Sequence, residues 1–123
     1  MAEPSPIQTD YESLLIDMAV ESWRFSRLFL RATAKLDAGE SVRYANQLRF
    51  FQRQLEDGLR AAGLSLVNVE GQQYDPGIAA SALNVGDFSP EEELLVDQMV
   101  EPIIMGTRGI KRTGTITLKK ATR

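Results

Sequence analysis

Leu59-Arg-Ala-Ala-Gly63-Leu-Ser-Leu-Val-Asn-Val69 is the stretch where the chain changes its period. Upstream of Gly63, Tyr44, Leu48, Phe51, Leu55, then Gly58 or Leu59, then Ala62 recur at alternating steps of four and three. That spacing predicts a helix over 41–62 with a seam suited to lying along another helix. Downstream, Leu64 to Val69 is a short β-rich run. Gly63 with Leu64 reads as a left-handed helix stop followed by its apolar partner. The expected fold class is α+β: an N-terminal helical hairpin followed by a small C-terminal β domain.

Working back from this boundary, a first helix is expected from about Asp10 to Leu36. Thr9 and Glu12 have capping-box spacing at its start. Gly39, in Asp37-Ala38-Gly39, suits a helix end, with Glu40 or Ser41 restarting the next. Acids come first (Asp10, Glu12, Asp17, Glu21) and bases last (Arg24, Arg27, Arg31, Lys35), which complements the helix dipole. Beside one polar stripe the helix is apolar on several sides, so it needs more than one partner. One partner is the second helix; the other is expected to be a second copy of the chain. The resulting dimeric helical bundle is expected to use Leu15, Trp23, Phe29, Phe51 and Leu55. The division reads as a flexible tail over 1–8, the hairpin over 9–63 and a β-rich unit over 64–123.

Beyond the boundary, Asp75-Pro76-Gly77 is a turn signal, with proline fixing φ and glycine permitting a positive one. Ile78 to Leu83 fits either a helical turn or an extended segment. Ser89-Pro90-Glu91-Glu92 reads as a single helical turn, leading into a strand over the Val- and Ile-rich run from Leu94 to Met105; a helix to Val100 is the alternative. Gly106-Thr-Arg-Gly109 reads as a turn between strands. Ile110, Arg112, Gly114, Ile116 and Leu118 then alternate with polar residues, as one half-buried strand with a basic outer face. Asp87, Glu91, Glu92, Glu93, Asp97 and Glu101 are followed by no acid at all, whereas Arg108, Lys111, Arg112, Lys119, Lys120 and Arg123 lie beyond Gly106. This asymmetry suggests an electrostatic docking surface for a protein partner.

Composition narrows the function classes. The 123 residues include no histidine and no cysteine. That excludes a disulfide, a thiolate nucleophile, an imidazole base and a Cys/His zinc site. The carboxylates have no partner at a catalytic spacing: Asp75 reads as a turn residue and Glu91 to Glu93 as charge at a helix start. An enzyme is not expected, nor is a metal or other cofactor. The net charge of −3 disfavours nucleic acid and anionic membrane as partners. No run approaches the roughly 20 apolar residues of a membrane span, and the N-terminus lacks a basic, apolar signal pattern. A soluble cytoplasmic protein is expected.

The order of these elements resembles the GrpE family, the nucleotide-exchange factors of DnaK-type chaperones. Gly71-Gln-Gln-Tyr-Asp-Pro-Gly77 is similar to the family's Gly-x-x-Phe-Asp-Pro-Asn element. Met105-Gly106 with Arg108 to Arg112 resembles a shortened form of its Gly-Tyr to Arg turn, and Thr115-Ile-Thr-Leu-Lys119 its final strand. Ile78-Ala79-Ala80 stands where the family has His-Glu-Ala. The resemblance implies a dimeric helical bundle holding a β wing that wedges open the chaperone's nucleotide cleft and releases ADP. It implies chaperone contacts at Arg108, Lys111 and Arg112 near the wing turn and at Leu118 on the last strand. The alternative is a GrpE-like adaptor or scaffold without exchange activity, which the missing His-Glu-Ala element favours.

Overall fold

The computed structural model describes residues 10–121. The expected tail over 1–8 and the Thr9 half of the capping box lie outside the described residues. Two helices, α1 (Tyr11–Thr33) and α2 (Ala38–Ala61), are followed by six strands: β1 (Ser65–Val67), β2 (Ala80–Ala82), β3 (Leu94–Glu101), β4 (Ile103–Gly106), β5 (Gly109–Arg112) and β6 (Gly114–Lys120). The strands make two three-stranded sheets, ordered β1-β4-β5 and β2-β6-β3. The α+β arrangement with an N-terminal helical hairpin is thus the observed one.

Local chemistry sets the helix boundaries. Asp10 caps α1, its carboxylate accepting the Ser13 N–H at 3.0 Å. Asp37 caps α2 in the same way, accepting the Glu40 N–H at 2.9 Å. Gly39 therefore lies inside the first turn of α2 and does not end α1. A carboxylate satisfying an orphan donor stabilises a helix start by about 1 kcal/mol, which offsets the helix cost of one glycine. The stop at Gly63 follows the expected chemistry. Gly63 has φ +78°, the Leu64 N–H reaches back to Leu59 O at 2.9 Å and the Gly63 N–H to Arg60 O at 3.0 Å. Leu64 is then turned into the core beside Leu59.

In the β unit, only Ala80–Ala82 of the segment from Ile78 to Leu83 is strand: it forms β2, which runs parallel to β6, between bends at Ile78 and Ala79 and a turn at Leu83. Asn84 continues that edge with its side chain, accepting the Leu118 N–H at 2.8 Å and donating to Leu118 O at 3.0 Å. Ser89 to Glu92 forms one turn and the chain then enters β3, so Leu94 to Val100 is strand. Pro102, which has no N–H to give a ladder, marks the corner where the chain passes from one sheet to the other.

The basic run after Gly109 is not one strand. It breaks at Thr113 into β5 and β6, which belong to different sheets. At Gly114 a Cβ would meet Glu101 O at 2.7 Å and the Ile103 backbone N at 3.2 Å, so the crossing fits only glycine. The inward face therefore continues through Gly114, Ile116 and Leu118, while Ile110 on edge strand β5 is exposed.

Two apolar clusters hold the molecule together. One joins Trp23 to Val69, Leu94, Val96, Met99, Ile103, Ile116 and Leu118. The other joins Ile16, Ala19, Val20, Leu59, Leu64 and Ile104. Successive residues of β4 point into different clusters, Ile103 into the first and Ile104 into the second, as the two-residue period of a strand requires. Helices and sheets thus share both clusters.

Candidate functional site

α1 packs against the β unit along one side and against α2 along a neighbouring side. Trp23 is the centre of the first contact. It is 5 % exposed, and its indole N–H donates to Met99 O at 2.7 Å. Glu70 accepts the Met99 N–H at 2.8 Å and pairs with Arg27, whose guanidinium lies 4.6 Å from the Trp23 ring. Both backbone groups of Met99 are therefore satisfied by side chains, beside irregularities where β3 shifts register against β6. Burial and the nearby Arg31 push the Arg27 guanidinium down from its ordinary value, but an arginine so placed stays charged through the working range. Arg24–Glu101 at 3.1 Å, Lys111–Glu12 at 3.0 Å and Arg112–Asp17 extend the contact along α1.

This packing corrects the expected dimer residues. Trp23 is inside the protomer and unavailable to a second copy. Leu15 and Leu55 are half-buried in the cluster between α1 and α2. Phe29 is half-buried, edge-on to Tyr44 with ring centroids 5.9 Å apart, and only Phe51 among the five is exposed. The predicted α2 seam also turns slightly: Gln52, half-buried, takes the inward place expected for Phe51.

The free surface of α1 is a different set. Tyr11 is 77 % exposed, Met18 67 % and Phe25 63 %, with Leu14 and Leu28 more than half exposed. Tyr11, Met18 and Phe25 are seven apart, as are Leu14, Glu21 and Leu28, so together they occupy the a and d positions of a heptad. The spacing was present in the sequence, but it was one of several apolar tracks on the same helix, and nothing local told which one the β unit would cover. Phe51 adjoins this seam. With Phe25, Ser26, Phe29, Gln47 and Leu48 it lines a groove of about 240 Å³ between the helices. A second depression, lined by Asp17, Met18, Glu21, Ser22, Phe25 and Phe51, continues it.

The residues expected to meet a chaperone are only partly brought together. Lys111 and Arg112 are near the β4–β5 turn, but each is paired to an acid on α1. Leu118 is 3 % exposed and belongs to the first cluster, so it offers no contact surface. Arg108 is exposed at the turn and has no ion pair among the described residues. Ile110 beside it is 52 % exposed, although the strand alternation of the sequence places it inward. Lys119 and Lys120 face Asp97 and Glu92, so much of the basic asymmetry is matched within the chain. The Asp75 turn forms as expected: its carboxylate accepts the Gly77 N–H at 3.0 Å.

Among the described residues no helix is long and apolar enough to cross a membrane. Comparison of the chain with protein-family models, curated proteins and solved structures returns no match.

Proposed function

We propose that the protein is a GrpE-like, homodimeric protein-binding module of the cytoplasm. Two hairpins pack seam to seam, and each β unit engages the ATPase domain of a DnaK-type chaperone and promotes ADP release. The observation that carries the reading is the uncovered heptad seam of α1, on a helix whose opposite side holds a β unit of two small sheets. Large side chains present roughly 200 Å² each when free, so the seam exposes on the order of 600 Å² per protomer. Pairing two copies would bury about 1,200 Å², the lower end of stable interfaces. The action is steric and asks no side chain to form or break a bond, in keeping with a chain that lacks histidine and cysteine. Within this reading Arg108 and Ile110, at the β4–β5 turn, are the contact residues.

A second reading, an adaptor of the same architecture without exchange activity, is favoured by the engagement of Lys111 and Arg112 with α1 and by the burial of Leu118. Release of a fluorescent ADP analogue from a DnaK-type chaperone of the same organism separates the two. Acceleration that is lost in Arg108→Ala with Ile110→Ser supports an exchange factor. Binding without acceleration supports the adaptor, and no binding by a folded dimer removes the chaperone from both readings.

A further inference from the structure

A groove of about 430 Å³ lies at the end of the β unit where β3 begins. Tyr74, Phe88 and Leu94 are among its lining residues, with Pro76 and Pro90 also at its walls. Tyr74 and Phe88 are half-buried against the first cluster. Hydrogen bonds fix the two loops that make the walls. The Ser89 N–H donates to Glu92 at 2.8 Å and the Ser89 hydroxyl to Glu91 at 2.6 Å, while the Ile78 N–H reaches Asp75 O at 2.8 Å. A groove held open in this way needs little ordering when it binds. Val85, about half exposed, adds to its apolar lining.

Carboxylates outnumber cations around this apolar floor. Glu92 and Glu93 line the groove, and Asp75, Asp87 and Glu91 stand in the flanking turns. Lys120, 3.1 Å from Glu92, already places one ammonium group at the rim. Glu93, Asp75 and Asp87 have no cation at ion-pair distance among the described residues.

We propose that this groove binds an extended basic peptide of a separate protein. A proline or other apolar residue sits against Tyr74 and Phe88, and an arginine or lysine reaches Glu93. Aromatic and proline walls fit a polyproline-type segment, whose backbone is already extended, and the acidic rim selects its cations. A second copy of the chain does not supply this occupant. Lys111, Arg112, Lys119 and Lys120 are tied to acids, and the described cations free of ion pairs lie on or next to the helices and at the Arg108 turn, not on an extended apolar stretch. The inference is independent of the chaperone reading.

The test is a titration of the ¹⁵N-labelled full chain with the peptide Arg-Pro-Leu-Pro-Arg-Pro-Leu-Pro and with its counterpart carrying glutamate for arginine. The arginine peptide is expected to give saturable shifts confined to the amides over 72–75 and 85–94, with none on the α1 seam. Glu93→Gln, an exposed change that leaves the fold intact, is expected to weaken binding about three- to fivefold, the effect of losing one exposed ion pair. Equal shifts with the glutamate peptide, or none at millimolar arginine peptide, would overturn the proposal. So would shifts at the same amides on raising the concentration of the protein alone, which would put a second copy in the groove.

Discussion

Trp23 and Phe25 stand two residues apart on α1, both large and aromatic, and their environments are opposite. Trp23 is enclosed by the β unit and hydrogen-bonded to Met99 O; Phe25 is 63 % exposed beside the groove between the helices. Hydrophobicity selects the residues able to form a core, while the covering element selects which of them do. On α1 one face is covered within the chain and the other is left uncovered.

The largest expected effect breaks the inner face. Trp23→Ala should cost about 3–5 kcal/mol, through lost burial, a cavity and an unpaired Met99 carbonyl. Phe25→Ala should cost the protomer less than about 0.5 kcal/mol. Urea unfolding at low protein concentration compares the two, and similar losses would refute the assignment of faces. Next, Met18→Glu with Phe25→Glu should raise the dimer dissociation constant at least about 100-fold by placing charges at the centre of the seam. Sedimentation equilibrium reads this, and a wild-type chain that stays monomeric at every concentration would remove the dimer altogether.

A smaller change sharpens the junction. Glu70→Gln keeps an acceptor for the Met99 N–H but leaves Arg27 without its counter-charge, for an expected loss of about 1–2 kcal/mol in chemical unfolding. Asp17→Asn removes a more exposed partner, that of Arg112, and should cost under about 1 kcal/mol, an effect that fades in high salt.

The smallest effect is a pH dependence at the β3 entry. The Ser89 N–H, and then Lys120, hold the Glu92 carboxyl below its ordinary value. The folded pKa is depressed, so the stabilising contribution is complete above the ordinary carboxylate value and is lost as pH falls through the lower, folded one. Titration of the Glu92 side chain by carbon-detected NMR should therefore give a midpoint below that of a free glutamate, and Lys120→Ala should move it part of the way back.

Much of the backbone was legible in advance because its determinants are local. Gly63-Leu64 ended a helix, Asp75-Pro76-Gly77 made a turn, and Gly106 to Gly109 joined two strands. Legibility falls where one local preference competes with another. Gly39 looked like a stop until the Asp37 carboxylate capped the following helix, and the alternation from Ile110 to Leu118 hid the break at Thr113. The site was less legible still. Leu118 and Ile110 fall on the same face of an uninterrupted strand, yet one is buried and the other exposed, because β5 and β6 belong to different sheets.

Local preferences along the chain set the order of two helices and a β-rich half, the positions of their caps and turns, and a chemistry without thiol or imidazole. These follow from backbone preferences and side-chain identity, which act over a few residues. Packing across the fold sets the rest: Trp23 faces inward while Tyr11, Met18 and Phe25 face out, and Lys111 and Arg112 are paired to α1. Those outcomes depend on which surfaces meet across the fold. Several apolar tracks on one helix bring similar hydrophobic free energy, and the shape and hydrogen-bonding edges of the β unit choose among them.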